Sequence, residues 1–129
     1  MFLQKYDRQA YAILRIVAGF LFLCHGSQKL FGLPPAGHEI PLHIVVIAGG
    51  IEFFGGLLIL LGLWTRWAAF LAAGEMAYAY WFAHASGGVL PLVNHGELAM
   101  LYCFLFLCFL ANGSGIWSVD DYLRRRRTA

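Results

Sequence analysis

The chain has 129 residues, of which 60% are hydrophobic and 12% are charged, whereas a soluble domain has roughly 45–50% apolar and 25% charged residues. A soluble protein of this length cannot hide so much apolar surface, so we expect one compact membrane domain, residues 1–129, with the lipid bilayer as its surroundings. The net charge is only +2, and a basic tail at residues 124–127 beside membrane spans is more typical of a topology signal than of a nucleic-acid-binding protein.

Four apolar segments are long enough to suggest membrane-spanning helices. They cover roughly residues 11–30, 42–63, 67–85 and 94–110, and the fourth is short unless Asn94 and His95 belong to it. Backbone groups in lipid must bond to one another within the segment, which favours helices over strands. The sequence therefore predicts an all-α fold, an integral membrane bundle of four transmembrane helices.

The basic residues predict the orientation of these helices. Four spans place both termini and the loop between the second and third helices on one side. That side carries Lys5, Arg8, Arg66 and the terminal arginines, whereas the other two loops carry no lysine or arginine. The positive-inside rule then predicts that both termini are cytoplasmic.

Two N-caps are predicted near that side. Thr65 is placed to cap the third helix. Ser118 is followed three residues later by Asp121, which is typical of a helix start. We expect the segment from 116 to 123 to lie along the cytoplasmic surface as a short interfacial helix.

The first helix carries polar residues along one face. Five residues are spaced by four, three, four and three positions and so share one stripe: Arg15, Gly19, Phe22, Gly26 and Lys29. Glycines on such a face let a neighbouring helix approach closely. His25 and Gln28 flank the stripe.

The other helices add polar residues at similar depths. Ionisable groups inside a membrane are costly and usually face the bundle interior. We predict a polar pocket that opens toward the non-cytoplasmic side, with Arg15 deeper than the rest and no metal ion. The candidate ligand-binding residues are Arg15, His25, Gln28, Lys29, Glu52, Glu75, His84 and Glu97.

Simpler interpretations of these residues stay open. Lys29 and Glu97 could extend their polar ends to the interface with no further role. Lys29 and Glu52 could form an ion pair that serves either structure or function. Pairing leaves one carboxyl group over, and we expect Glu75 to be that group and to hold a proton.

The three cysteines predict no redox motif. Cys24, Cys103 and Cys108 lie in apolar runs without a C-x-x-C pair, so we expect packing residues. Cys24 and Cys103 lie at comparable depth, and the sequence does not decide whether they meet.

Five segments in order resemble the DoxX family of small bacterial membrane proteins, which has DoxD-like relatives. The resemblance covers nearly the whole chain. It comprises Arg15 with "HGSQKLFG" at 25–32, "GGIEFFGGLLILLGLWTR" at 49–66, "MAYAYWFAH" at 76–84, "GELAMLY" at 96–102 and "NGSGIWSVDDYL" at 112–123. Glu75 departs from the family pattern at a position that is usually apolar.

The resemblance implies a four-helix protein of the bacterial inner membrane in a redox setting. Relatives include a small subunit of a thiosulfate:quinone oxidoreductase and a membrane partner of superoxide dismutase and a sulfurtransferase. More distant relatives are assembly factors or cargo receptors. Fold analogy alone does not fix an activity.

Three functional hypotheses follow. The first is a subunit of a quinone-linked oxidoreductase complex, with a quinone in the pocket and electrons supplied by a partner protein. The second is a non-enzymatic accessory, scaffold or assembly factor for a membrane complex. The third, ranked lowest, is haem bound by His25 and His84. A homo-oligomer is compatible with each hypothesis.

Overall fold

The computed structural model describes residues 3–129, and this part of the chain is helical with no strand. We number five helices in chain order: α1 Asp7–Phe31, α2 Leu42–Leu61, α3 Thr65–Ala79, α4 Glu97–Asn112 and α5 Val119–Thr128. A 3-10 turn, Gln4–Tyr6, precedes α1, and α3 continues into a π-helical turn at Tyr80–His84. A single helical turn, Pro91–Asn94, precedes α4.

Two of these segments are long and apolar enough to cross a membrane. They are Gln4–Phe31, with 28 residues, and Leu42–Leu61, with 20 residues. The apolar α4 is shorter, at 16 residues. Many large apolar side chains on the outside of the bundle are exposed, including Phe20, Phe70 and Leu101. An exposed apolar surface of this extent is suited to contact with lipid.

The fourth helix begins later than the predicted residue 94. The side-chain oxygen of Asn94 accepts a 2.7 Å hydrogen bond from the amide of Gly96. His95 between them has a left-handed backbone with φ of 58°. These two features separate the Pro91–Asn94 turn from α4, which starts at Glu97.

The predicted cap at Thr65 is wrong, whereas the one at Ser118 is confirmed. The side chain of Ser118 accepts from the amide of Asp121 at 3.2 Å. The start of α3 is capped instead by Asp120, whose carboxylate accepts from the amides of Trp64 at 3.1 Å and Thr65 at 3.4 Å. The amide of Asp120 in turn donates to the carbonyl of Gly62 at 3.0 Å, so α5 is joined to the turn between α2 and α3.

Glycines bring α1 and α2 into close contact, as the stripe on α1 predicts. A Cβ atom added at Gly19 would lie 2.9 Å from the carbonyl oxygen of Gly56. One added at Gly26 would lie 2.5 Å from the Cα atom of Phe53. Both distances are too short for a side chain, so the two backbones pack directly against each other at two levels.

Aromatic rings on α4 fill the centre of the bundle. Phe106 is fully buried, and its ring centroid lies 4.7 Å from that of Phe22 on α1 and 5.3 Å from that of Tyr102. Small buried residues on α3, among them Ala69 and Ala72, leave room for α4 to pack closely. The result is a closely packed interior that fixes the positions of the polar groups described next.

Candidate functional site

Lys29 and Glu52 form an ion pair between α1 and α2. The Nζ atom of Lys29 lies 2.6 Å from Oε2 of Glu52. The side chain of Glu52 is 5% exposed and that of Lys29 is 19% exposed. Gly26, three residues before Lys29, lets the backbone of α2 come close enough for this short contact. The pair that the sequence suggested is therefore present, and it is almost entirely withdrawn from solvent.

Glu52 lies in an irregular part of α2. The backbone from Ile51 to Gly55 forms a π-helical turn, which widens the helix locally and changes the direction of the side chains it carries. Such turns within α-helices are frequent at functional sites. A second one, Tyr80–His84, ends the long helical segment of α3.

Glu75 on α3 is close to this ion pair. It lies within electrostatic range of both Glu52 and Lys29. Its Oε2 atom is buried and has no hydrogen-bond partner among residues 3–129. Buried polar atoms are nearly always hydrogen-bonded, so this oxygen is the most unusual polar atom at this depth of the bundle.

His25 and Tyr102 complete the group. Their rings meet edge to face with centroids 6.2 Å apart. His25 lies within electrostatic range of Lys29, and Tyr102 within that of Glu52. We call the five residues His25, Lys29, Glu52, Glu75 and Tyr102 the polar centre.

Sequence reasoning did not include Tyr102 among the candidate residues. The residue lies in the apolar run of α4, where a tyrosine looks like one more packing residue. Tyr102 and Phe106 are four residues apart, which places both rings on the inward face of the helix. This spacing is the sequence signal that could have identified Tyr102 as a candidate.

The structure does not bring Arg15 into the polar centre. Arg15 is fully buried and donates only to backbone carbonyls: Nη1 to Ile59 and Leu60 at 2.9 and 2.8 Å, and Nη2 to Ile116 and Trp117 at 3.2 and 2.7 Å. It lies about 21 Å from Lys29 along α1, since a helix rises about 1.5 Å per residue. Arg15 therefore joins the end of α2 to the segment before α5.

Within residues 3–129, Gln28, His84 and Glu97 make no hydrogen bond or ion pair with the polar centre. Gln28 donates to the carbonyl of Pro35 at 3.3 Å and so holds the loop after α1. His84 Nδ1 lies 3.1 Å from the carbonyl oxygen of Asn94, where it supports the turn before α4. Glu97 is exposed in the first turn of α4.

Neither of two surface clefts among residues 3–129 is lined by the polar centre. One has a volume of about 440 Å³ and lies beside Arg66 and Asp120; the other, of about 340 Å³, runs between α2 and α3. Within residues 3–129, no three histidine, cysteine or acidic side chains come together as metal ligands would. Cys24, Cys103 and Cys108 are free thiols.

Comparisons with known proteins give one family model and two relatives that match most of the chain. The family model described as DoxX matches residues 10–85. An uncharacterized protein of Haemophilus influenzae is 40% identical over 126 residues, covering 92% of this chain and 94% of that protein. An uncharacterized membrane protein of Mycobacterium tuberculosis is 34% identical over an alignment of 136 residues, covering 90% of this chain and 82% of that protein. No solved structure matches the chain significantly.

Proposed function

The chain belongs to the DoxX family, and from this premise we propose that it is a redox-associated membrane subunit whose polar centre binds the head group of a lipid-soluble quinone. Because the family consists of membrane proteins, a lipid-soluble ligand can reach the polar centre through the bilayer. The ionisable residues of the polar centre offer that ligand hydrogen bonds and protons. Electrons would come from a partner protein in the same complex.

The observation that carries this proposal is the unpaired oxygen of Glu75 beside the Lys29–Glu52 pair. An isolated buried polar atom is costly unless something bonds to it. A quinone head group carries two oxygen atoms that can accept a hydrogen bond from a protonated side chain of this kind, and its ring suits the aromatic interior around Phe22 and Tyr102.

The residues of the polar centre have distinct roles in this proposal. A quinone takes up two electrons and two protons when it is reduced. Lys29 has three N–H donors and uses one of them on Glu52, so the others are available to a ring oxygen. One lysine neutralises one of the two glutamates, so in this proposal Glu75 holds one proton that it can give to a ring oxygen, and the ammonium group of Lys29 holds the second. Tyr102 and His25 border the same space and orient the quinone ring.

A binding experiment with purified protein tests this function. Ubiquinone and menaquinone analogues with short tails are titrated into protein in nanodiscs, and binding is measured by tryptophan fluorescence quenching. Glu75→Leu should reduce the affinity at least about tenfold, because one hydrogen bond to the ligand is worth roughly 1.4 kcal/mol. Glu75→Gln keeps a hydrogen-bonding group and should bind more tightly than Glu75→Leu, but it should lose proton uptake on quinone reduction.

Glu97→Leu is the matched control, because Glu97 is exposed and lies apart from the polar centre. It should bind both quinones as the unmodified protein does. The proposal fails if the unmodified protein binds neither quinone, or if Glu75→Leu and Glu97→Leu bind equally well.

We also propose the membrane topology: α1 to α4 all cross the bacterial inner membrane as one domain, residues 1–129, with both termini in the cytoplasm and α5 along the surface. Support comes from the basic residues, since Arg66 and the arginines of α5 lie at the same end of the bundle. In a cysteine-free variant, a cysteine at position 127 should react with an impermeant maleimide only after cell lysis. One at position 37 should react in intact cells, and the reverse pattern would contradict this orientation.

A scaffold function is the second candidate, favoured by the rigid joints at Arg15 and at the α1–α2 glycines. In that case Glu52→Gln should damage folding or recovery of a partner protein and leave no separate defect in quinone turnover. Stable Glu52→Gln protein that recovers its partner normally but has lost quinone turnover would exclude the scaffold function.

A further inference from the structure

A polar cleft lies where the turn before α3 meets the segment before α5, and we call it the interfacial cleft. Its volume is about 440 Å³, and its charged lining consists of Arg66, Arg124 and Asp120. Asp120 is committed to the start of α3, where its carboxylate accepts two backbone amides. The charged lining therefore carries two positive charges against one negative charge.

Both arginines have donors to spare. Nη1 of Arg66 donates to the carbonyls of Leu110 and Ala111 at 2.7 and 3.0 Å, and within residues 3–129 its Nε and Nη2 atoms make no hydrogen bond. Arg124 contacts Asp121 through Nη2, and its side chain is 73% exposed. Guanidinium groups with free N–H donors are well suited to binding phosphate oxygens.

Thr65 adds a third polar group to the cleft. It is fully buried, and its Oγ1 atom has no hydrogen-bond partner in the described part of the chain. A buried hydroxyl without a partner is rare. Thr65 therefore adds an unpaired hydroxyl to the wall of the cleft, which is compatible with a ligand that carries hydrogen-bonding oxygens.

An apolar groove continues from the interfacial cleft along the lipid-facing side of the bundle. This α2–α3 groove has a volume of about 340 Å³ and is lined by apolar residues such as Ile51, Leu58 and Leu71. Trp64 and Trp67 line both the cleft and the groove. They are 65% and 75% exposed, as tryptophans at a membrane interface commonly are.

We propose that the cleft and the groove together bind one anionic glycerophospholipid, with its phosphate at Arg66 and Arg124 and one acyl chain in the α2–α3 groove. A polar cleft with two arginines beside an apolar groove, the two sharing Trp64 and Trp67, matches the two ends of such a molecule. The site is separate from the polar centre, so it depends on the chain being a membrane protein and not on the binding of a quinone.

The groove is tested by filling it. Gly50 lines the groove, and a Cβ atom added there meets nothing within 4 Å. Gly50→Leu therefore blocks the acyl chain without a clash inside the protein. Gly74→Leu is the matched control, since Gly74 lies in α3, a Cβ atom added there also meets nothing within 4 Å, and Gly74 does not line the groove.

Binding of phosphatidylglycerol to the purified protein is measured by native mass spectrometry. Gly50→Leu should lower the affinity about tenfold, the value expected when roughly two methylene groups lose their apolar contacts. Gly74→Leu should leave it unchanged. Equal binding by both variants would overturn the proposal. Circular dichroism shows whether each variant is folded.

The head-group end is tested with Arg124→Gln, for which Arg127→Gln is the control because Arg127 does not line the cleft. Arg124→Gln should weaken binding of phosphatidylglycerol several-fold more than Arg127→Gln does, and phosphatidylcholine should bind more weakly than phosphatidylglycerol. Equal effects of the two variants would indicate unspecific attraction to the basic helix and overturn the proposal. The proposal would also be overturned if soluble glycerol phosphate competed with phosphatidylglycerol equally well in the unmodified protein and in Gly50→Leu. That result would mean that the cleft binds a free phosphate compound.

Discussion

Replacing Arg15 tests how this bundle is held together. Arg15→Met removes four hydrogen bonds to carbonyl oxygens in two separate segments, the end of α2 and residues 116–117. Hydrogen bonds to charged groups contribute roughly 1.5–3 kcal/mol each, so four of them amount to about 6 kcal/mol at the lower limit. Three of the four bonds are only partly buried, so water can replace part of this energy.

We therefore expect Arg15→Met to lower the free energy of unfolding by about 3–5 kcal/mol, a loss similar to that for breaking a buried ion pair. Arg15→Lys keeps the charge, but its single nitrogen cannot reach both segments. Arg15→Lys should lower the free energy of unfolding by about 2 kcal/mol, because it loses roughly half of the hydrogen bonds that Arg15 makes. Unfolding by sodium dodecyl sulfate in mixed micelles, followed by circular dichroism, measures both values.

Arg8→Met is the control for this series. Arg8 lies on the same helix but is exposed, and its replacement should change stability by no more than about 0.5 kcal/mol. If Arg15→Met unfolds at the same detergent fraction as Arg8→Met, the four hydrogen bonds do not stabilise the fold. If Arg15→Lys equals the unmodified protein, charge rather than the forked geometry of the guanidinium is what matters.

Three further predictions concern other contacts. Glu52→Gln should lower the free energy of unfolding by about 3–5 kcal/mol because it leaves Lys29 without its counter-ion, and adding Lys29→Met should restore part of that loss, as a double-mutant cycle would measure. Gly26→Ala should separate α1 from α2 and lower the detergent fraction at the unfolding midpoint, because the new Cβ atom would overlap Phe53. The pKa of Asp121 lies below its ordinary value of 3.8: burial opposes this shift, but the hydrogen bonds from Arg124 and Arg125 outweigh it. The folded-state pKa is depressed, so the stabilisation is complete above about pH 4 and is lost as the pH falls through the lower, folded-state pKa; nuclear magnetic resonance of the α5 amides would detect that loss.

Each of these has a result that would contradict it. A double variant at positions 29 and 52 that is as unstable as the two single losses added together would mean that the pair is not coupled. Gly74→Ala has open space around it, and a Gly26→Ala variant of equal stability would refute the close contact. If α5 frays at pH 6, the carboxylate of Asp121 does not hold it.

The sequence predicted the polar stripe on α1 because helical periodicity is a local property. Spacings of three and four residues place Gly19, Gly26 and Lys29 on one face in any helix, and that face is buried against α2. The cap at Ser118 was also predictable, since its partner Asp121 is three residues away.

The same reasoning failed where the partner lies far along the chain. The cap of α3 comes from Asp120, which is 55 residues from Thr65, and no local pattern links the two. Arg15 was expected at a deeper level of the pocket, and the sequence could not show that its donors bond to the backbone carbonyls of residues 59, 60, 116 and 117. Glu97 and His84 were assigned to the pocket from their depth in the membrane alone. In the structure, the ring of His84 contacts the carbonyl of Asn94 instead.

The sequence by itself determined that this is an apolar, all-helical membrane protein of the DoxX family, and it determined which face of α1 is polar. Composition, hydropathy and periodicity are sums over neighbouring residues, so they can be read from the chain. Only the tertiary structure decided that Tyr102 lies within electrostatic range of Glu52, that an oxygen of Glu75 stays unpaired among residues 3–129, and that Arg15 bonds to backbone carbonyls. The reason is that each helix fixes the direction of its own side chains, whereas the atoms opposite them depend on how the helices pack.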